Sequence, residues 1–373
     1  MRDGEKWFIL SFMQKKINIA VLFGGKSAEH EVSIQSARNV LDALDRNKYS
    51  PIIIGVEKNG AWRLTSEDAL NAKIADGCAF ESRDAPSCAL IPESGGVLLV
   101  NGLKSSTKID VVFPILHGPF GEDGTVQGLL KLAGVPFVGT GVLASAVSMD
   151  KDVMKRLLRD AGLPVGEFIA LKSHENLSFT EVVAKLGMPF FVKPANMGSS
   201  VGITKVHNEE EFRYALEQAF EYDSKIILEE FIHGREIECS VLGNEEPLAS
   251  PPGEIVSSRE FYSYEAKYLN ETVARLEIPA ELPSKIVEII QCLAVKTFKA
   301  LCCEGLGRVD FFLKPDGSLV VNEINTMPGF TRISMYPKLW EADGLSYSSL
   351  IDRLIALAVS RFEKEKRLKT SLF

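Results

Sequence analysis

One stretch of the chain, GRVDFFLKPDGSLVVNEINTMPG at 307–329, carries acidic, amide and guanidinium side chains at alternating positions. Asp316-Gly317 within it is a strong signal for a tight turn, and apolar runs flank it on both sides. The stretch therefore predicts a β-hairpin with a two-residue loop. A three-residue loop is the alternative, and it would place Asp310 and Glu323 on opposite faces of the hairpin.

The two-residue loop would gather two carboxylates, a carboxamide and a guanidinium on one face. It pairs Asp310 with Glu323 and Arg308 with Asn325, and side chains two positions apart in a strand project from the same face. Oxygen ligands of this kind bind Mg²⁺ in proteins together with the phosphates of a substrate. The competing interpretation is a solvated face that holds an ion pair, because carboxylates are mostly surface residues.

The apolar residues of the hairpin favour a covered site. Phe312 and Val321 are expected on the same face as the carboxylates, and large apolar side chains favour burial of the face that carries them. The second strand leads into TMPG at 326–329, a loop whose backbone N–H groups could bind an anion. The opposite face is expected to be core, formed by Val309, Phe311, Leu313, Val320 and Ile324.

The composition is that of a globular protein of roughly two or three domains. The chain has 373 residues, 46% hydrophobic and 25% charged, and its net charge of −8 disfavours nucleic acid as a partner. Its six cysteines show no C-x-x-C spacing, which indicates reduced thiols and a cytoplasmic location. The apolar run at 7–13 is too short to span a bilayer, so residues 1–16 are interpreted as an extension and no membrane partner is expected.

The first 140 residues alternate between apolar strands and helices, which predicts an open parallel α/β sheet. Ligands of such sheets bind beyond the carboxyl ends of the strands. Glu29 and His117 follow two of the strands and are therefore candidate site residues. The apolar runs that are typical of buried parallel strands are 17–23, 52–56 and 110–115.

A lysine within an apolar strand precedes a loop of small residues. The strand is predicted at 188–194 and contains Lys193, which needs an anionic partner at such a position. The loop that follows, MGSSVG at 197–202, includes Ser199 and Ser200 and is typical of turns whose backbone N–H groups surround phosphates. The competing interpretation is an ordinary hairpin loop with an edge lysine.

Two further segments bear on ligand binding. The strand predicted at 225–231 ends in Glu229-Glu230, and Glu236 follows it. These carboxylates suit the amino group of adenine and the ribose hydroxyls, although a charged strand end would have the same sequence. The polar and aromatic segment at 251–272 has no regular period and is predicted to be a lid over the site.

The segment VPFVGTGVLAS suggests a different class of enzyme. Gly139-x-Gly141-x-x-Ala144 matches the dinucleotide-binding fingerprint, which would make the chain a nicotinamide-dependent oxidoreductase. The acidic residue expected about twenty positions later is Asp160, which falls at the end of a helical pattern rather than of a strand. A third class is a nucleotide-binding module without catalytic activity.

Several segments in combination resemble the D-alanine–D-alanine ligase family of ATP-grasp enzymes. They are GGKSAEHE, HGPFGEDG, SMDK, KPANMGSSVG, EEFIHGREIE, YSYEAKY, GRVDFF and NEINTMPGFTRIS. The resemblance implies a mixed α/β and α+β fold of the ATP-grasp type. An N-terminal open parallel α/β domain at 17–140 would precede a central subdomain at 141–231 and a C-terminal subdomain at 232–373, which hold ATP between two antiparallel sheets.

The resemblance also implies a role for each matching residue. The residues at the ATP phosphates would be Lys151, Lys193, Ser200 and Lys267, and those at adenosine would be Glu229, Glu230, Ile232 (through its backbone) and Glu236. The ligands of two Mg²⁺ or Mn²⁺ ions would be Asp310, Glu323 and Asn325. The residues at the first D-alanine and its reacting carboxylate would be Glu29, His117, Ser199, Tyr268, Arg308 and Gly329, and those at the second would be Ser334 and Met335.

The activity that the resemblance implies is the ATP-dependent joining of two D-alanine molecules for peptidoglycan precursor synthesis. The first carboxylate would attack the γ-phosphate of ATP, and the amine of the second D-alanine would attack the resulting acyl phosphate, so no protein nucleophile is required. The implied assembly is a homodimer. The nearest alternative is a D-alanine–D-lactate ligase or another ATP-grasp carboxylate–amine ligase, and Tyr268 in YSYEAKY favours the dipeptide-forming members.

Overall fold

The structure is a computed structural model that describes residues 16–82, 84–101, 106–257, 274–369 and 371. The extension predicted at 1–16 lies outside the described residues apart from Lys16. Among the helices that are described, none is long and apolar enough to cross a membrane.

An open, mostly parallel sheet forms the first part of the chain, as predicted. Its elements in chain order are β1 (Ile17–Gly24), α1 (His30–Ala43), β2 (Tyr49–Val56), β3 (Trp62–Thr65), α2 (Glu67–Asp76), β4 (Cys88–Leu90), β5 (Val97–Val100), β6 (Thr107–Lys108), β7 (Val111–Ile115) and α3 (Thr125–Leu132). The sheet order is β3-β2-β1-β7, with β1 parallel to β2 and β7. A small antiparallel sheet, β4-β5-β6, lies apart from it.

The middle of the chain forms a four-stranded antiparallel sheet. Its elements are α4 (Val142–Met149), α5 (Lys151–Asp160), β8 (Phe168–Lys172), α6 (Phe179–Leu186), β9 (Phe190–Pro194), β10 (Thr204–Val206), α7 (Glu209–Phe220) and β11 (Lys225–Glu230). The sheet order is β10-β9-β11-β8. Asp150 begins α5 by accepting a hydrogen bond from the N–H of Val153, which satisfies one of the free donors at the helix start.

The last part of the chain forms the second antiparallel sheet. Its elements are β12 (Arg235–Gly243), β13 (Leu248–Ala249), β14 (Gly253–Ser257), β15 (Ala274–Glu277), α8 (Ser284–Ala300), β16 (Gly305–Leu313), β17 (Leu319–Asn325), α9 (Met335–Ala342) and α10 (Tyr347–Glu365). The order is β15-β14-β12-β16-β17, with β13 on β12. The segment 251–272 was predicted to lack regular structure, which is wrong for its beginning because β14 pairs with β12 there; positions 258–272 lie outside the described residues.

The hairpin of β16 and β17 has the predicted pairing but a different loop. Its loop has three residues rather than two, since the N–H of Lys314 donates to the carbonyl oxygen of Ser318 at 2.9 Å. The register then shifts by one residue where Asn322 forms a β-bulge, and beyond the bulge Asp310 pairs with Glu323. The bulge inserts one extra residue and so cancels the effect of the longer loop. The predicted pairing is confirmed and the predicted loop is wrong.

The same bulge exchanges two valines between the faces of the hairpin. Val321 pairs with Phe311 and lies in the buried core, whereas Val320 pairs with Phe312 on the other face. The prediction had these two valines the other way round, because it continued the two-residue alternation of side chains through the bulge.

Two packings of distant segments hold the three sheets together. Met154 and Leu158 of α5 belong to one apolar cluster with Phe298 and Phe311 of the last sheet's core. The C-terminal helix α10 packs in a second cluster with β1 and β7 of the first sheet. The helices that lead into the middle sheet therefore pack on the last sheet, and the end of the chain packs on the beginning.

The segment that matched the dinucleotide fingerprint has an internal role. Its helix α4 and the following α5 lead into the antiparallel strand β8, so no strand–helix–parallel strand unit is formed. The carbonyl oxygens of Gly139 and Phe137 accept hydrogen bonds from the buried guanidinium of Arg361 at 2.6 and 3.0 Å. The dinucleotide interpretation is therefore wrong, and the segment anchors α10.

Candidate active site

A cavity of about 510 Å³ lies where the three sheets meet. Its wall is contributed by the loops after β1 and β7, by the start of α5 and the loop after β9, and by the ends of β16 and β17. The predicted site residues that line it are Glu29, His117, Lys151, Ser199, Arg308, Glu323, Asn325, Gly329, Ser334 and Met335. Residues that are far apart in the sequence thus converge on one space.

Arg308 is held between carboxylates at one side of this cavity. Its guanidinium donates two hydrogen bonds to Asp310, both at 2.8 Å, and its Nε lies 2.8 Å from a carboxylate oxygen of Glu238. Asn325 donates a further hydrogen bond to Asp310 at 2.9 Å. Burial by itself would lower the pKa of Arg308, but the two carboxylates outweigh it and raise this pKa well above its usual range.

Glu238 was not singled out from the sequence. It lies on β12 directly opposite Asp310 of β16 and is buried. The sequence shows that Glu238 lies two residues after Glu236, but it does not show that β12 pairs with the strand that carries Arg308.

The donor atoms at this side of the cavity suit a hard divalent cation. Asp310, Glu323 and Asn325 offer two carboxylates and one carboxamide on paired strands, and oxygen ligands of this type bind Mg²⁺ when substrate phosphates complete the coordination. Within the described part of the chain, no group of three or more His, Cys, Asp or Glu side chains forms a metal site by itself.

A second charged cluster lies between β9, β11 and α5. Glu229 forms ion pairs with Lys193 and with Lys155, whose Nζ is 2.9 Å from Oε1. Burial would raise the pKa of Glu229, but the two lysines outweigh this effect and hold the pKa well below its usual range. Lys193 thus has the anionic partner that its position in a strand requires, and Lys155 is a member that the sequence analysis missed.

Lys151 connects this cluster with the cavity. Its Nζ donates to the carbonyl oxygen of Met197 at 2.5 Å, and burial lowers its pKa although Glu323 opposes this effect. The loop after β9, to which Met197 belongs, holds Ser199 and Ser200 at φ of 50° and 60°. Left-handed backbone at two consecutive residues other than glycine is strained, and such strain is typical of ligand-binding loops.

Two carboxylates face each other near the loops after β1 and β7. Glu29 begins α1, and Glu122, which was not singled out from HGPFGEDG, accepts hydrogen bonds from the N–H groups of Gly118 and Met327 at 2.8 and 3.3 Å. Burial, followed by the negative charge of Glu29, raises the pKa of Glu122 to about 8. The pair suits an ammonium group, which would favour the ionised form of Glu122.

His117 is engaged by the protein through both ring nitrogens. Nδ1 donates to the carbonyl oxygen of Met327 at 3.0 Å, and Nε2 lies 3.4 Å from the hydroxyl of Ser36. The hydroxyl of Ser36 accepts a hydrogen bond from the N–H of Phe330 at 3.2 Å, and it donates its own proton to Nε2 of His117. Burial lowers the pKa of His117. The neutral imidazole therefore fixes the 327–330 loop against α1.

The end of this loop is closely packed. A Cβ atom at Gly329 would lie 2.7 Å from Oγ of Ser334, so a larger residue there would displace that hydroxyl. Ser334 accepts from the N–H of Thr331 at 2.9 Å instead of capping α9, which it precedes. Met335 follows and is buried, with its sulfur directed at Gly253. The N–H groups of Met335 and Tyr336 at the start of α9 therefore receive no side-chain cap from Ser334.

Two family models match the chain. One, described as D-ala D-ala ligase N-terminus, matches residues 18–140, and the other, described as D-ala D-ala ligase C-terminus, matches residues 157–356. A D-alanine–D-alanine ligase from Oceanobacillus iheyensis is 52% identical over 364 residues, which cover 96% of this chain and 99% of that protein. This chain belongs to the D-alanine–D-alanine ligase family. The prediction that it is a ligase is confirmed.

Solved structures of the D-alanine–D-alanine ligase family have the same fold. A D-alanine–D-alanine ligase from Coxiella burnetii superposes with a TM-score of 0.83 at 38% identity, covering 94% of this chain and 96% of that one. A D-Ala:D-Ser ligase from Enterococcus faecalis gives 0.82 at 39%, covering 92% and 100%. The Bacillus anthracis D-alanine–D-alanine ligase complexed with ATP gives 0.71 at 32%, covering 94% and 99%. The predicted ATP-grasp fold is confirmed.

The residues that the ligase family resemblance assigned to adenosine lie along the connection between the two antiparallel sheets. Glu230 accepts from the N–H of Glu167 at 2.9 Å, the side chain of Ile232 packs beside Gly166, and Glu236 follows on β12. The side chain of Glu230 is thus engaged within the protein. Lys267 and Tyr268 lie outside the described residues.

Proposed function

We propose that this member of the ligase family joins two D-alanine molecules at the expense of ATP, giving D-alanyl-D-alanine, ADP and phosphate for peptidoglycan precursor synthesis in the cytoplasm. The observation that carries the proposal is the convergence of Arg308, Glu323, Glu29 and the start of α9 on one cavity. These groups match the charges of ATP phosphate and of two amino acids.

The first half-reaction uses the positive groups of one cavity wall and of the adjoining cluster around Glu229. Lys151 and Lys193 bind the phosphates, with the N–H groups of Ser199 and Ser200 beside them, while Arg308 orients the attacking carboxylate of the first D-alanine. That carboxylate attacks the γ-phosphorus, ADP leaves, and an acyl phosphate is formed. Positioning and charge neutralisation account for most of the catalysis of such a transfer.

The second half-reaction uses the opposite end of the cavity. The carboxylate of the second D-alanine binds at Ser334 and the first N–H groups of α9, against Met335. Its amine attacks the acyl carbon, and phosphate leaves. The developing oxyanion is stabilised by Arg308 and the N–H of Gly329, while Glu29 and Glu122 hold the ammonium group of the first D-alanine near His117.

Two Mg²⁺ or Mn²⁺ ions are proposed to bind with the ATP phosphates. Asp310, Glu323 and Asn325 would hold them, because their oxygen atoms lie together on β16 and β17. When bound, the ions neutralise phosphate charge. In this structure Asp310 accepts hydrogen bonds from Arg308. When Asp310 turns to a cation, Arg308 keeps Glu238 as its partner.

The division into domains and the assembly complete the proposal. We place the boundaries at 140 and 231, at the connections between the three sheets. We also propose a homodimer through α3 and α4, which pack on each other and share an exposed apolar surface that suits a second copy of it; its members are Leu129, Leu132, Val142 and Leu143. The mass of the protein in solution tests this assembly.

The function is tested by ADP release with ATP, Mg²⁺ and each candidate amino acid. D-alanine is expected to support turnover and L-alanine is not, because the relatives of this chain are named as ligases of D-alanine. Mass analysis of the product with D-serine or D-lactate added distinguishes the D-Ala:D-Ser activity named for the E. faecalis relative. ADP release that is equal for both alanine enantiomers would contradict the proposal.

D-alanine binding is expected to release a proton. Burial and the neighbouring charge of Glu29 keep Glu122 protonated up to about pH 8, and an ammonium group between the two carboxylates favours the ionised form. Calorimetric titration at about pH 7 in buffers of different ionisation enthalpy is expected to show the released proton. Glu122→Gln removes the titrating group, so its binding heat is expected to be independent of the buffer.

The same carboxyl group affects stability in the absence of substrate. Its pKa is raised from 4.5 to about 8 on folding, so the folded protein binds more protons than the unfolded chain between these values. The free energy of unfolding therefore decreases as the pH rises through this window. In Glu122→Gln the free energy of unfolding is expected to fall less over this pH range. Thermal unfolding that gives parallel pH profiles for variant and parent would contradict this prediction.

A further inference from the structure

A buried carboxylate beneath the proposed phosphate site has two lysine partners. Glu229 of β11 lies between Lys193 of β9 and Lys155 of α5. The side chains of Lys155 and Glu229 are 4% and 8% exposed, and that of Lys193 is 13% exposed. One negative charge is thus shared by two positive charges in a region with little access to water.

The two lysines differ in what they can reach. Lys193 lies at the end of β9, directly before the loop that carries Ser199 and Ser200, and is the lysine proposed to bind phosphate. Lys155 lies one turn beyond Lys151 on α5 and is 3% exposed, with its Nζ directed at Glu229. Without Lys155, a movement of Lys193 towards phosphate would leave Glu229 as a buried, unpaired carboxylate, which is strongly unfavourable.

We propose that Lys155 is a positioning residue that keeps Glu229 paired while Lys193 turns to the phosphates of ATP. The inference rests on the proposed ATP site. Lys155 lowers the free-energy cost of moving Lys193 away from Glu229. The side chain of Glu229 influences ATP binding through the two lysines. The depressed pKa of Glu229 agrees with a carboxylate that both lysines stabilise.

Lys155→Met tests the proposal by removing the charge while keeping an unbranched side chain of similar length. Of the two lysines, Lys193 then remains to pair with Glu229 and is expected to stay there. The dissociation constant for ADP with Mg²⁺, measured by calorimetry, is expected to increase by about tenfold to a hundredfold. The KM for ATP should increase in parallel, with kcat changed by less than about threefold. Lys155→Arg keeps the charge and is expected to bind ADP as the parent does.

Removal of the carboxylate in the same chain is expected to abolish the effect of Lys155→Met. In Lys155→Met/Glu229→Gln no anion competes for Lys193, so ADP binding should match that of Glu229→Gln alone to within about threefold, and this comparison cancels any contact of Glu229 with adenosine. A residue that only supports the packing of α5 would give additive losses in the double variant. The double variant keeps the net charge of the parent cluster, which is one positive charge, so it provides the test if Lys155→Met does not fold.

Lys225→Met is the matched control, because Lys225 also anchors α5 through a half-buried ion pair, with Asp150 at 2.6 Å. It is expected to lower the melting temperature and leave ADP affinity unchanged. Unaltered ADP binding in Lys155→Met, or a double variant that binds ADP more weakly than Glu229→Gln alone by more than about threefold, overturns the inference. A parent protein that does not bind ADP would overturn the ATP site itself.

Discussion

Glu323→Gln is expected to lower the rate of ADP release with ATP, Mg²⁺ and D-alanine by about a hundredfold. Glu323 pairs with Asp310 at the end of the hairpin and lines the cavity, and the substitution removes one negative charge from the proposed cation site while keeping the shape of the side chain. The rate is measured as a function of Mg²⁺ concentration, and half-maximal activation is expected at a higher concentration than in the parent.

Asp316→Asn is the control for Glu323→Gln. It removes a carboxylate from the same hairpin, but Asp316 is exposed in the loop, where it accepts from the N–H of Ser318 at 2.9 Å. Asparagine can accept the same hydrogen bond, so this variant should turn over at the rate of the parent. A Glu323→Gln enzyme that keeps full activity at low Mg²⁺ would show that this carboxylate has no part in cation binding.

Arg308→Met is expected to have the second large effect, in activity and in stability. It removes the guanidinium proposed to stabilise the oxyanion, a type of loss that costs about 10²–10³-fold in kcat. It also leaves Asp310 and Glu238 without their shared cation, and breaking a buried pair in this way costs about 3–5 kcal/mol. Steady-state kinetics and chemical denaturation measure the two effects separately.

Arg308→Lys separates the charge from the geometry. Lysine keeps the positive charge between the carboxylates, so part of the stability should be recovered, but an ammonium group cannot replace the bidentate guanidinium and activity should stay low. Arg235→Met is the control, because Arg235 forms a bidentate pair with Glu254 in the same sheet but is not part of the cavity wall. Full activity in Arg308→Lys would reject the proposed role.

Local patterns in the sequence were sufficient for much of the fold and part of the site. The apolar strands of the first sheet, the position of the hairpin and the loop after Lys193 were predicted because periodicity and turn residues act over a few neighbours. The shared face of Asp310 and Glu323 was predicted correctly although the loop was not, since the bulge at Asn322 compensated for the longer loop.

The partners of the charged residues were decided only by the tertiary structure. Glu238 reaches Arg308 because β12 pairs with β16, Lys155 reaches Glu229 because α5 packs beside β9 and β11, and Glu122 faces Glu29 across two loops. The sequence by itself determined which side chains carry charge and on which local face they lie. Their pairing, and with it their pKa values, depends on burial and on contacts between distant segments, which no local pattern encodes.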